Sequence, residues 1–594
     1  MVSGSLLRFD RLERTDPTMR CVFPLLFSLL CACSSAHSVA DAPLAAPVPA
    51  IPPPQKPVIV SIVGTSDLHG HIEYAPIFGG FVGNLRARRA ADGGVLLLDA
   101  GDMFQGTIVA NETEGAAVVR AYNALGYDAA TIGNHEFDYG PVGPANISKS
   151  PNENPRGALL AAIQLASFPV LAANIVDTQN GGLIHWPGVV PSIIVTVAGI
   201  RIGIVGVLAY GALDATIATS VSDLKTRPLV EAITSEAELL RSRGAAFVVV
   251  AAHAGGDCKS FANPDDTSSC DMQSEIFEVA KNLDPSVVPV IVAAHTHRAI
   301  AHRVGGVAIV QSYAYGAAFG RVDVSVDPST GDAVVDRIFP PQPLCSGWKG
   351  SSVPVAKCEP GSYEGVAVNP SASVRAAIAK DMENADAKRE ELLGVTLSKA
   401  LASHGVPTSP AGDNVAAWML ETRPKAQIAV VNSGGVRTDL PEGPLTYGAV
   451  YEMFPFDNRY ASTRVKVSHV RKLLHDGLLG VDNYSVAGVK VNAYCKGTEL
   501  QVDIIRGGRP LRDSEDVVLL MSDYLAMTRR VEAAGILADS FEFEQDPPIR
   551  EALVELLRHK GASLKPVAES PVSVQGGWPA SCSGTADPRY RRRR

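Results

Sequence analysis

Seven side chains of metal-ligating type, Asp67, His69, Asp102, Asn134, His253, His295 and His297, sit just behind five short apolar runs of the sequence. The runs 58–63, 95–98, 129–132, 247–250 and 287–292 lead respectively to Asp67-Leu68-His69, Gly101-Asp102, Gly133-Asn134-His135-Glu136, His253 and His295-Thr296-His297. An Asp-x-His or His-x-His alone is an ordinary surface or core detail, and Asn-His after a strand is commonly a turn. Five such ends in one stretch of chain ask for a common cause. Carboxylate, amide and imidazole donors without thiolate suit divalent metals such as Mn, Zn, Fe or Co. Such sites keep positions open for water and substrate, and the metal acidifies its water for hydrolysis.

The elements that position these groups follow from the same runs. Short continuous apolar runs alternating with helical stretches over residues 58–340 predict strands buried on both faces of a layered α/β domain. Ligand sites in such domains form outside the carboxyl ends of the strands, where all five polar ends fall. A length of 594 residues allows two to four domains, and 46% hydrophobic with 19% charged residues supplies material for real cores. Disordered, collagen-like and small disulfide-scaffold classes are excluded. A formal net charge of -9 gives no support to a nucleic-acid-coating surface, so no nucleic-acid partner is expected.

Taken together, Ser66-Asp67-Leu68-His69-Gly70-His71, Gly101-Asp102-Met103-Phe104-Gln105-Gly106, Gly133-Asn134-His135-Glu136-Phe137-Asp138, Ala252-His253-Ala254-Gly255 and Ala294-His295-Thr296-His297 resemble the calcineurin-like metallophosphoesterases, and within them the 5'-nucleotidase branch. The resemblance implies a four-layer α/β-β/α sandwich joined by a long helix to a C-terminal α/β substrate-specificity domain. It also implies two divalent metal ions (Mn, Zn, Mg, Co or Fe). Asp67, His69 and His297 would hold one, Asn134, His253 and His295 the other, with Asp102 bridging. A water shared by the two ions would lose a proton near neutral pH and attack phosphorus. His135 would stabilise the transition state, and Asp138 would orient it and keep it cationic. His71 and His302 are read as structural or surface histidines.

Residues 371–393 read as one long helix of good helix formers, a connector inside 341–396. Residues 397–574 would form the second domain, behind the catalytic domain at 58–340. There Asn432-Ser433-Gly434-Gly435-Val436-Arg437 resembles the family's Asn-Gly-Gly-Gly-Ile-Arg, so Asn432 and Arg437 would meet the substrate; a planar guanidinium fork suits phosphate. Phe456, in Phe454-Pro455-Phe456-Asp457-Asn458, matches the family's base-stacking phenylalanine. The chain departs from the pattern at the second wall of the base site. Ser522-Asp523-Tyr524-Leu525-Ala526 is followed by Met527-Thr528-Arg529-Arg530 where a Gly-Gly-Asp-Gly-aromatic motif is usual. Phe541 or Phe543 is left to substitute.

Residues 1–57 read as address and spacer. Met19-Arg20 and the apolar run 21–32 fit a signal peptide, with Met19 rather than Met1 as the start; the run is too short to span a bilayer. Leu30-Cys31-Ala32-Cys33 resembles a lipoprotein cleavage site that would lipidate Cys33, and the proline-rich 42–57 would be a semi-rigid tether. This predicts an exported, periplasmic or surface lipoprotein, touching membrane only through that lipid. Six further cysteines suggest disulfides. Proximity favours Cys258–Cys270 and Cys345–Cys358, leaving Cys495–Cys582. Residues 575–594 are a tail. The activity expected is hydrolysis of nucleoside 5'-monophosphates. The alternatives are a 2',3'-cyclic-nucleotide phosphodiesterase with 3'-nucleotidase activity, a thiosulfohydrolase-like enzyme, and a non-catalytic nucleotide-binding lipoprotein.

Overall fold

The computed structural model describes residues 56–582, apart from 144–147, 149, 151, 349–352, 480–483, 545–546, 562, 568 and 576–581. The expected signal peptide, Cys33 and most of the tail lie outside these residues.

Two sheets face each other in the first half of the chain. One has seven strands in the spatial order Ala333–Pro343, Ala318–Val326, Val58–Thr65, Gly93–Asp99, Ala129–Thr131, Val170–Leu171, Val189–Val190. Its last five strands run parallel, and the two at the other edge are antiparallel. The other sheet has the order Ala299–Val304, Val307–Ser312, Val290–Ala293, Phe247–His253, Ile200–Leu208, Ser192–Val197, with a parallel centre and antiparallel edges. The strands read as unbroken apolar runs because both faces are covered. Val60, Ile62, Leu96 and Leu98 from one sheet meet Ile202, Ile204, Phe247 and Val249 from the other. The alternate residues Val63, Leu97, Val205 and Val250 turn outward into the core under the helices. Helix Ala75–Arg89 covers one outer face through Ile77, Phe78, Phe81, Val82 and Leu85. Helix Leu229–Ser242 buries Leu229, Ala232, Ile233, Ala237 and Leu240, the three-and-four spacing of a one-faced helix. The result is helix, sheet, sheet, helix.

The helix expected over 371–393 is shorter, Ala372–Arg389, with Ser371 capping its first turn by accepting from the Val374 N–H. Leu392 and Leu393, counted as helix from their residue types, belong instead to strand Leu392–Leu397, whose alternating burial shows one face against a core. The helix pairs with the first half of the chain through Arg120–Asp381 and Lys388–Glu112, and its last turn meets Glu452 through Arg389.

The second half builds a five-stranded mixed sheet, Tyr484–Ala487, Ile428–Asn432, Asp516–Ser522, Tyr460–Lys466, Glu542–Phe543. Smaller sheets flank it. Val430, Val470, Leu519 and Val491 belong to one core beneath it. Disulfides join Cys258 to Cys270, Cys345 to Cys358 and Cys495 to Cys582. No helix among the described residues is long and apolar enough to cross a membrane.

Candidate metal centre and adjoining cavity

Five parallel strands, three from one sheet and two from the other, end at one edge. Behind Val58–Thr65 come Asp67 and His69, behind Gly93–Asp99 comes Asp102, and behind Ala129–Thr131 comes Asn134; His253 closes Phe247–His253, and His295 and His297 follow Val290–Ala293. Asp67, His69, Asp102, His295 and His297 all adopt left-handed backbone, with φ of 51°, 49°, 57°, 79° and 55°. Side chains avoid that region, at a cost of order 1–3 kcal/mol each, unless the surroundings over-determine it. Here they do. The Asp67, His69 and Gly70 N–H groups donate to the carbonyls of Gly101, Asp102 and Met103 at 3.0, 2.9 and 2.9 Å, and the His295 N–H donates to Asp67 Oδ1 at 2.9 Å.

Glu136 braces the same loops. Its buried carboxylate accepts N–H groups from Gly133, Asp102, Met103 and Phe104 at 2.6, 2.9, 2.6 and 3.3 Å. Burial pushes its pKa up to about 7 against the pull of these donors. Gly133 leaves the room this needs, since a Cβ there would lie 2.3 Å from Asp102 Oδ1. Sequence reading placed Glu136 in a motif without giving it a task, because three of its four donors, Asp102, Met103 and Phe104, come from a different loop.

The ligand atoms fall into two groups that share a member. Asp67, His69, Asp102 and His297 each place one within 4.8 Å of the others, and so do Asp102, His253 and His295. Asn134 Oδ1 lies 3.1 Å from His253 Nε2, on the second side. His69 Nε2 is 3.0 Å from His297 Nε2, and His253 Nε2 is 3.1 Å from His295 Nδ1. The outer nitrogens of two rings are tied down: Nδ1–H of His69 donates to the Gln105 carbonyl at 2.7 Å, and Nδ1–H of His253 to the Ala100 carbonyl at 2.9 Å. Nε2 of each ring therefore faces inward, with a free lone pair on His69 and a proton shared with Asp102 on His253 that a cation would displace. Asp67 Oδ2 is buried with no hydrogen-bond partner.

Burial, aided by neighbouring cations, holds His69 and His297 well below the usual imidazole range and brings His295 to about 4, so these rings are neutral. Burial lifts Asp67 to about 7. At His253 burial is outweighed by the Asp102 carboxylate, which raises it to about 9. Buried nitrogen lone pairs crowded together, an orphaned carboxylate oxygen and an O/N donor set fit divalent cations.

His135 stands beside these groups, its ring 5.2 Å from that of His69. Its Nδ1 lies 2.5 Å from Asp138 Oδ2, and Asp138 Oδ1 accepts the Thr216 hydroxyl at 2.7 Å. Burial, which lowers the His135 pKa, is outweighed by the Asp138 and Asp102 carboxylates, which raise it. Of the remaining histidines in the motifs, His71 pairs with Glu73 at 2.7 Å, while His302 is fully buried and hydrogen-bonds the Ser260 and Pro264 carbonyls.

Two cavities meet at His135. One, of about 450 Å³, lies over Asp102, Asn134, His295 and His297. The other, of about 220 Å³, is lined by Gln105 and His135 from the first half and by Asn432, Arg437, Phe456 and Tyr524 from the second. His135, Ala215 and Arg437 line both. Arg437 Nη2 donates to the Tyr315 hydroxyl at 3.2 Å, and its guanidinium sits 5.7 Å from the Phe456 ring centre. Phe541 and Phe543 do not substitute for the missing aromatic: Phe541 is buried in the second core, Phe543 sits on the edge strand Glu542–Phe543, and neither lines the cavity. Tyr524 does. It follows Ser522, which ends a strand and caps the short helix Asp523–Ala526, and that sharp turn aims a residue the motif comparison had passed over.

Residues 60–299 match the family model for calcineurin-like phosphoesterase, and residues 382–530 that for the 5'-nucleotidase C-terminal domain. The chain belongs to the calcineurin-like phosphoesterases that carry a 5'-nucleotidase C-terminal domain. Both are families of metal-dependent phosphoesterases. Among curated proteins, an endonuclease of Bacillus subtilis is 25% identical over 80% of this chain and 37% of its own length. A protein named as a probable 5'-nucleotidase of Treponema pallidum is 23% identical over 70% of this chain and 75% of its own. The chain spans less than two thirds of the length of the first curated relatives it matches. Among solved structures, a 5'-nucleotidase precursor from Thermus thermophilus superposes with a TM-score of 0.65 at 21% identity, covering 87% of this chain and 99% of that one, which shows the same fold.

Proposed function

We propose that this calcineurin-like phosphoesterase is exported and releases phosphate from nucleoside 5'-monophosphates. Asp67, His69, Asp102 and His297 would hold one divalent cation, and Asp102, Asn134, His253 and His295 a second. The observation that carries this reading is the meeting of the two cavities: the space over the donor groups continues, past His135 and Arg437, into a pocket walled by Phe456 and Tyr524. A small phosphate ester with a flat apolar group fits that sequence of surfaces.

When bound, the cations supply Lewis-acid polarisation of the phosphoryl oxygens and acidify water. The chain's own residues do the rest. Asp138, itself held by Thr216, fixes the His135 ring and favours its cationic form, so Nε2–H can donate to a phosphoryl or leaving oxygen as charge develops there. Arg437 offers further donors to the phosphate from the second domain. Phe456 and Tyr524 offer ring faces to a base. Export rests on the apolar run ahead of the proline-rich segment and on three disulfides, which persist in oxidising compartments.

Phosphate release from 5'-AMP and from 2',3'-cyclic AMP, each with manganese and with chelator, tests the proposal. Manganese-dependent release that favours 5'-AMP is expected. Preference for the cyclic substrate would overturn the monophosphate assignment, and full activity in chelator would overturn the metal assignment.

A further inference from the structure

Few buried side-chain polar atoms among the described residues lack a hydrogen-bond partner, and one of them is the buried Nε2 of Gln105, a residue that lines the pocket beside His135. Gln105 is only 3% exposed. A buried amide left unpaired is unfavourable, and a ligand that pairs with it recovers the loss. The neighbouring polar groups of that wall are already engaged. Asn111 Oδ1 accepts from the Gly106 N–H and the Tyr139 hydroxyl, and its Nδ2 donates to the Pro455 carbonyl. His135 and Asp138 hold each other. The Gln105 carboxamide is the group of this wall left for a visitor.

Its place along the pocket is set by its own backbone. The Gln105 carbonyl accepts the His69 Nδ1–H at 2.7 Å, which places this residue of the pocket lining next to the cation-binding groups. A phosphate held there puts its first substituent against Gln105, and in a nucleotide that substituent is the sugar. We propose that Gln105 is a substrate-binding residue whose Nε2–H donates to a hydroxyl oxygen of the sugar. The inference rests on the phosphatase reading given above and names a residue that decides between sugars.

The test compares wild type with Gln105→Met, which keeps length and volume without the amide, and with Gln105→Glu, which keeps the shape and loses the donor. Manganese-loaded full chain is assayed on 5'-AMP and 2',3'-dideoxy-AMP, and adenosine affinity is measured by calorimetry. For wild type, 5'-AMP is preferred over the dideoxy compound. In both variants that preference falls about tenfold, mainly through KM, and adenosine binds about tenfold more weakly. Equal losses on the two substrates, or an unchanged adenosine affinity, would overturn the assignment. Were wild type to bind manganese yet release phosphate from no nucleotide, the phosphatase reading would fall instead. The adenosine titrations would then still decide Gln105, with no binding by wild type counting against it.

Discussion

At the cation-binding edge the backbone sets the chemistry, whereas in the pocket beside it the side chains do. Asp67, His69, Asp102, His295 and His297 stand on left-handed residues, the first four held by hydrogen bonds between loops. Phe456 stands in the loop between helix Tyr447–Met453 and strand Tyr460–Lys466, and Tyr524 in the first turn of helix Asp523–Ala526, so a single sequence change alters what they offer. The same contrast holds for two buried carboxylates. Asp67 and Asp413 each keep one oxygen without a partner, but only Asp67 looks onto a cluster of imidazoles. Asp413 sits in the first turn of helix Pro410–Thr422 with one Thr408 hydroxyl at 2.7 Å. An orphaned oxygen reads as a ligand only where other donors converge on it.

Substitutions on both sides would break or sharpen this contrast. The largest effect belongs to Asp102→Ala. Because Asp102 serves both groups, the variant should lose both metals by elemental analysis and about 10³-fold or more in turnover, whereas His297→Ala should lose one. Equal stoichiometry in the two variants would end the bridging assignment. Next comes His135→Ala, which should keep its metal and lose about 10²–10³-fold in kcat; a variant that loses metal in parallel with turnover would make His135 part of the metal cage. In the pocket the effects should be smaller and appear in KM. Phe456→Ala should raise KM for 5'-AMP about tenfold and Tyr524→Ala by less, with kcat nearly unchanged, as expected for base stacking. A fall in kcat alone would show that these rings act on the chemistry.

The smallest effect concerns Asp413. Burial raises its pKa to about 6, above the usual carboxylate value of about 4. The folded value exceeds the unfolded one, so its stabilising contribution is complete below about pH 4 and is lost as pH rises through about 6. Asp413→Asn does not titrate, and its stability relative to wild type should rise by about 2 kcal/mol between pH 4 and pH 7 in thermal or denaturant unfolding. A parallel pH profile for both proteins would mean the carboxylate is relieved in some other way. Asp67→Asn, by contrast, should abolish metal-dependent activity.

How much of this was legible in the sequence follows the same division. Apolar runs ending in donors revealed the strands and all seven converging groups, since a buried parallel strand must be apolar and its end must turn. Asp138 was legible because it lies three residues from His135. Glu136 was not, for its four donors come partly from another loop. Tyr315 was not, since it reaches Arg437 from beyond the last ligand strand. Tyr524 was hidden because the motif sought lay further along, and Gln105 because an unpaired amide is a property of space, not of spacing. The helix over 371–393 overran because Leu392 and Leu393 are good helix formers that a neighbouring sheet claims instead.

The five left-handed positions of the candidate metal centre carry a consequence for how this protein tolerates change. Glycine at any of them would relax the backbone, and at His69, His295 or His297 it would also remove crowded nitrogen lone pairs. The metal-free fold should then gain stability just where the enzyme loses its function. Random variants selected for heat resistance alone, without an activity screen, would drift toward an inert and sturdier protein through these positions first.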